Sequence, residues 1–387
     1  MKFWATSSAA LLALNIVGAL DAHGWRQQSI YQLLTDRFSR EDDVEAPCNL
    51  IARQYCGGTW KGIIDKLDYI QGMGFTAIWI SPVSANLPEG YHGYYTTDFY
   101  QINPRFGTAQ DLKNLSAELH RRGMYLMLDV IANHVAVPRR SKFRPSDGTW
   151  GVFNQDDDFH KLMWCRDWDN QLEVEQCWLG EKGDIALPDL NTENPKVVLE
   201  LQKIVHWLVQ EFSVDGLRVD TLKHIRKSFW PDYEKAAGVW CTGEVLHGDP
   251  AYTLPYQGSA LSSVLNYPLY FTLRRAFQSP DGFMIELTDM ILRIQHEAVD
   301  PTTLTTFLEF HTVPRFAHET SDEALRLNAL AYPFLGDGIP ITYSGAEQGY
   351  SGGEDPLNRE PMWLSKFDTS SRLYSFVARL NAARALA

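Results

Sequence analysis

Eight short apolar runs punctuate this chain, and amphipathic stretches separate many of them. The runs are Ile30–Leu34, Ala77–Ile80, Tyr125–Val130, Gly216–Val219, Val239–Thr242, Ser263–Leu265, Leu304–Leu308 and Ile339–Tyr343. Helical periodicity marks Ile63–Gln71, Ala109–Arg122, Val197–Phe212, Phe283–Glu297 and Glu323–Phe334, and a last helix from Ser371 to Ala387. Asp322 and Glu323 open one of these, and Gly123 follows another, as helix boundaries require. Strands that alternate with helices join into parallel sheets, and eight such units close on themselves. The expected fold is therefore α/β, a (β/α)8 TIM barrel. At 387 residues the chain exceeds the roughly 250 that such a barrel needs.

The surplus has a place. From Val135 to Leu190 no clean helix appears, and the stretch is rich in Asp, Trp, Gly and Pro. A loop this long inside a compact domain is functional or a small subdomain. It reads as an inserted subdomain, residues 135–190, after the third strand, with the barrel built from 23–134 and 191–387. The first 22 residues read as a secretory signal peptide: Lys2, an apolar run from Ala9 to Leu20, then small residues, with cleavage after Ala19 or Ala22. An exported chain meets an oxidising compartment, where its cysteines pair. Sequential pairing gives Cys48–Cys56 and Cys165–Cys177 and leaves Cys241 as a buried, inert thiol. Asn114-Leu-Ser116 is an N-glycosylation acceptor.

The net charge is −13. Phosphate backbones would be repelled, so nucleic acid is excluded as a partner. No segment past the signal is long and apolar enough to span a membrane. The balance fits an extracellular, monomeric enzyme with neutral substrates.

The polar residues fall at strand ends, where barrel chemistry takes place. The third strand ends in Asp129-Val-Ile-Ala-Asn-His134, the fourth in Arg218-Val-Asp220, the fifth in Gly243-Glu244 and the seventh in Glu309-Phe-His311. Asp, Arg, Lys and His crowd Gly216-Leu-Arg-Val-Asp-Thr-Leu-Lys-His224. Arg218 lies two residues before Asp220, hence on the same strand face. Its charge should hold Asp220 ionised.

With Tyr31-Gln-Leu-Leu-Thr-Asp-Arg37, Gly57-Gly-Thr-Trp-Lys-Gly62 and Tyr91-His-Gly-Tyr94, these segments resemble the α-amylase family of glycoside hydrolases, in particular its secreted fungal members. The resemblance runs from about Trp25 to the C-terminus. It implies retaining hydrolysis of α-1,4-glucans, with Asp220 as nucleophile and Glu244 as general acid/base. A retaining site needs one ionised and one protonated carboxyl group roughly 5–5.5 Å apart, so the pKa of Glu244 should be raised. It implies substrate-binding roles for His92, Tyr94, His134, Arg218, Lys223, His311, Asp355 and Arg359. It also implies a Ca2+ site: Asn133, Glu175 and Asp189 by side chain and His224 by its carbonyl, all oxygen donors as a hard cation requires.

The chain departs from the family pattern at the seventh strand. The usual Asn-His-Asp triplet reads Phe310-His311-Thr312. The missing Asp is the family's third catalytic carboxylate, and losing such a stabiliser costs roughly 2.7–4 kcal/mol. Turnover should be reduced. The alternative is a catalytically inactive α-glucan-binding or regulatory protein. Glu309 is not an obvious substitute for the missing Asp. A further disulfide of the fungal relatives is absent, with Leu254 at one of its positions. Those relatives continue into a C-terminal β domain, whereas this sequence ends after the eighth barrel helix.

Overall fold

The computed structural model describes residues 20–42 and 46–386. The signal-peptide reading of residues 1–19 lies outside the described residues. Within them, eight parallel strands form the barrel: β1 (Ile30–Leu33), β2 (Ala77–Ile80), β3 (Tyr125–Val130), β4 (Gly216–Val219), β5 (Trp240–Gly243), β6 (Ser263–Val264), β7 (Thr305–Phe307) and β8 (Ile339–Tyr343). Their order is β6-β5-β4-β3-β2-β1-β8-β7. A parallel bridge between Leu265 and Thr305 closes the ring. Strands β2 and β8, buried on both faces, are rich in Ile, as a sheet with no solvated side demands.

Sequence patterning placed the strands well. The helix expected over Ile63–Gln71 is instead two, Trp60–Asp65 and Leu67–Gly72, broken at Lys66. Among the described residues, two helices of eight or more residues escaped the pattern, Trp230–Ala237 and Tyr267–Phe277. In the second, Tyr267, Pro268, Leu269, Tyr270, Thr272, Leu273, Arg274 and Ala276 are all buried. Gly238 ends the first with φ 71°, a left-handed cap that glycine adopts without strain.

The lumen is filled by Trp25, Ile30, Trp79, Met127, Trp240, Tyr267, Phe307, Phe310 and Ile341, all buried. Trp25 stacks on Trp240 at 5.2 Å. Burying one such side chain contributes about 1.5–3 kcal/mol, so the lumen is a rigid plug beneath the strand ends.

After β2, a two-stranded ribbon (Ser84–Asn86 with Thr96–Ile102) carries His92 and Tyr94 in its connection. Residues 135–190 hold only short elements: Val137–Pro138 pairs antiparallel with Ile185–Ala186, and one helical turn spans Gln171–Val174. Phe143 packs on Trp150, Phe159 and Trp178. Both expected disulfides are present, Cys48–Cys56 and Cys165–Cys177. Cys241 is free and buried, and burial pushes its thiol well above the ordinary range. In the glycosylation sequon Asn114 is exposed on helix Ala109–Arg121, while the Ser116 hydroxyl is turned inward to Ser213 O. Among the described residues, no helix is long and apolar enough to cross a membrane.

Candidate active site

Each site residue stands where a strand has just ended. β4 delivers Arg218, and the next turn delivers Asp220. Thr221 then adopts φ 49°, a left-handed backbone that costs a β-branched residue free energy and is held by its surroundings. This kink turns the chain across the barrel mouth. β5 ends at Gly243, and Glu244 follows it.

Arg218 is wholly buried and organises three carboxylates. Its Nη1 donates to Asp129 Oδ1 at 2.9 Å and to Asp220 Oδ1 at 2.8 Å, and its Nη2 meets Glu244 Oε2 at 2.8 Å. Glu244 Oε1 accepts from Tyr267 Oη at 3.0 Å, and its Oε2 accepts from Thr221 N at 3.4 Å. Both carboxyl groups meet the same guanidinium, an arrangement that suits the close spacing of about 5–5.5 Å that retaining glycosidases use.

The protonation order differs from the sequence expectation. Burial pushes Asp220 up to about 8, against the pull of Arg218, with Glu244 and Asp129 adding repulsion. Glu244 is buried too, but Arg218, Tyr267 and the Thr221 N–H outweigh that penalty and hold it below the ordinary glutamate value. The reason is that Arg218 is not dedicated to Asp220: it serves three carboxylates, while Glu244 collects additional donors. The two groups titrate as one unit, with Asp220 pushed up and Glu244 held down.

Asp129 is the support that sequence reasoning noticed only as part of a motif. It is 1% exposed and receives Arg218, Trp79 Nε1 at 3.1 Å and Tyr94 Oη at 2.7 Å. Burial raises it to about 6. Its signal in the sequence was its place at the end of β3, beside β4 in the ring.

The other expected site residues divide into rim and foundation. Tyr94 stacks parallel on His311 at 5.3 Å and on His92 at 5.5 Å. His92 Nδ1 accepts from Tyr94 N at 3.0 Å, and His134 Nε2 lies 3.3 Å from Tyr94 O. Burial lowers all three histidines, His134 to about 4, so they are neutral hydrogen-bonding groups at neutral pH. His311 Nδ1 meets Gln32 at 3.1 Å, while its buried Nε2 has no partner. Lys223 donates to Leu246 O at 3.1 Å and lies 5.6 Å from the Trp168 ring.

Two expected ligand-contacting residues are foundations instead. Arg218 lies beneath the carboxylates with no exposed surface. Arg359 is buried, donating to His311 O and Tyr91 Oη at 3.0 Å each and pairing with Asp355. Asp355 is also tied to Arg53 at 3.0 Å, across a cleft of about 730 Å³ lined by Arg53, Tyr91, His92, Tyr95 and Asp184. That cleft adjoins the Tyr94 side of the mouth and is not itself lined by Asp220 or Glu244.

At the seventh strand end, Phe310 is wholly buried and Thr312 is exposed, in hydrogen-bond contact with Tyr267. Glu309 does not replace the missing carboxylate. Its oxygens accept from Arg315 Nη1 and Phe316 N, both at 3.0 Å, away from Asp220.

The four cation-site candidates come together in two pairs. Asn133 and Asp189 are joined where His134 bridges Asp189 and Leu190 N donates to Asn133 O at 2.8 Å. Asn133 Oδ1 and Asp189 Oδ1 are buried acceptors with no partner. Glu175 Oε1 accepts from Gln171 Nε2, which also donates to Lys223 O, and His224 Nδ1 meets Val174 O at 3.1 Å. Two orphaned oxygens, one amide and one carboxylate, fit a hard cation.

An eight-stranded barrel with two carboxyl groups on one arginine at adjoining strand ends fits a glycoside hydrolase. The chain belongs to the α-amylase family: the family model for the alpha amylase catalytic domain matches residues 32–379. It is 48% identical to Alpha-amylase 2 of Schwanniomyces occidentalis, over 98% of this chain and 75% of that protein. It is 47% identical to the Alpha-amylase of Saccharomycopsis fibuligera, over 94% of this chain and 74% of that one. The solved α-amylase of Malbranchea cinnamomea superposes with a TM-score of 0.91 at 48% identity, covering 94% of this chain and 78% of that chain.

Proposed function

We propose that the protein hydrolyses α-1,4-glucosidic bonds of starch and maltooligosaccharides with retention, using Asp220 as nucleophile and Glu244 as acid and base. The observation that carries this reading is Arg218 touching both carboxyl groups at 2.8 Å.

The chemistry follows from that contact. Glu244 donates a proton to the glycosidic oxygen while Asp220 attacks the anomeric carbon, forming a glycosyl ester. Glu244 then takes a proton from water, which releases the sugar and restores Asp220. Glu244 must hold a proton when the substrate is bound, so binding has to offset the pull that Arg218, Tyr267 and the Thr221 N–H exert on it. Arg218 stabilises the charge on either carboxyl group. Tyr94 offers a flat face for a sugar ring, and the unpartnered His311 Nε2 is free to bond a hydroxyl.

Thr312 carries no charge, so the oxocarbenium-like transition state lacks one stabilising carboxylate and turnover is reduced. Asn133, Glu175, Asp189 and the His224 carbonyl would hold Ca2+, whose contribution is to tie residues 135–190 to the barrel beside the site. The two disulfides support export and extracellular action; the protein acts as a monomer.

Hydrolysis of maltooligosaccharides by purified protein, beside Asp220→Asn, tests the reading. Activity abolished by Asp220→Asn supports it. Tight maltooligosaccharide binding with no turnover in the wild type would establish the glucan-binding alternative instead.

A further inference from the structure

What surrounds Arg218 is only half ionic. Its guanidinium carbon lies 5.4 Å from the centre of the Trp79 ring, 5.8 Å from Tyr94 and 5.5 Å from Phe310. Its Nε is buried with no hydrogen-bond partner. An orphaned buried N–H normally costs free energy. Aromatic faces answer that cost in part, because they attract a cation and accept an N–H weakly.

Phe310 is the member of this trio that the sequence singled out, standing where the family pattern has an amide. Its ring lies 5.2 Å from Trp79 and 4.2 Å from His311. The segment that bears it is clamped from both sides. Arg274 Nη1 donates to Leu308 O at 3.2 Å and Pro314 O at 3.0 Å, and Asn358 Nδ2 donates to His311 O at 3.0 Å and Val313 O at 2.7 Å. A ring fixed this firmly can fix its neighbour.

We propose that Phe310 is a positioning residue: with Trp79 and Tyr94 it forms an aromatic box that keeps the Arg218 guanidinium planted between Asp220 and Glu244. The inference rests on reading those two groups as the reacting pair. An amide at 310 would bring its own dipole and admit water to the guanidinium. The phenyl ring does neither, so the charge that spaces the two carboxyls stays in a dry, immobile setting even with Thr312 uncharged.

Protein labelled with 15N-arginine tests the box without any turnover. Arg218 Nε–H should give a slowly exchanging resonance shifted by the rings, assigned through its loss in Arg218→Lys. Phe310→Leu should remove the shift, speed the exchange and lower kcat on maltooligosaccharides roughly 5- to 30-fold with KM unchanged. Phe310→Tyr, which keeps the ring, should restore both. An unshifted, rapidly exchanging Arg218 Nε–H in the wild type overturns the proposal, whether or not Phe310→Leu folds. So does Phe310→Leu with wild-type resonance and kcat. A shifted resonance in a wild type that hydrolyses nothing upholds the box and removes the catalytic reading alone.

Discussion

Replacing Asp129 by Asn should change how the stability of this protein depends on pH. Asp129 is buried beneath the site, receives Arg218, Trp79 and Tyr94, and titrates at about 6 against an ordinary value of 3.8. That rise corresponds to about 3 kcal/mol. Because the folded pKa is raised, the folded chain holds this proton more tightly than the unfolded chain. That stabilisation is fully present below about pH 4 and is lost as pH rises through about 6. An amide at position 129 would not ionise, so the loss disappears in the variant. Removing the Asp129 charge also relieves Asp220, which it pushes upward, and this acts in the same direction. Urea unfolding at pH 4 and pH 7.5, at fixed calcium, measures both chains. Other titrating groups cancel in the difference. Asp129→Asn should gain about 3 kcal/mol relative to wild type between the two pH values. A variant whose stability relative to wild type falls between pH 4 and pH 7.5 would refute the reasoning. It would mean that Arg218 more than offsets the burial of this carboxylate.

Thr312→Asp should raise kcat on maltooligosaccharides by roughly 10²–10³, since the remaining pair is assembled and lacks only the charge; unchanged kcat in a folded variant would show that position 312 does not face the developing charge. Chelation should lower the melting temperature, with recovery on adding Ca2+ but not Mg2+, because the donor set is flexible and all oxygen; an unaltered melting curve would count against the site. Replacing Cys165 and Cys177 together by Ser should cost about 3 kcal/mol by the loop-closure estimate, read as a lower urea midpoint; no change would mean that the aromatic packing of residues 135–190 suffices alone.

Much of the architecture was legible from local pattern. Four strands, Ala77–Ile80, Tyr125–Val130, Gly216–Val219 and Ile339–Tyr343, appear in the structure with the bounds their residues suggested. β-Branched and aromatic runs bounded by turn residues carry that information within a few positions of one another. Helix Tyr267–Phe277 was less legible: it opens on Tyr267-Pro268 and is aromatic-rich, with four Tyr or Phe residues in eleven, a composition that suits a strand as well as a helix.

For the site, sequence determined which groups are present: Asp220, Glu244, His311, and Phe310 and Thr312 in unfamiliar places. Tertiary structure decided their states. Arg218 is two residues from Asp220, and proximity along the chain suggested a private ion pair. In the folded barrel Arg218 also meets Asp129 from β3 and Glu244 beyond β5, while Tyr267, 23 residues past Glu244, donates to it. Asp220 is therefore pushed up and Glu244 held down, the reverse of what a private Arg218–Asp220 pair would give. A pKa depends on every charge, dipole and buried surface within several ångströms, and in a barrel those neighbours come from strands that only the closed fold brings side by side.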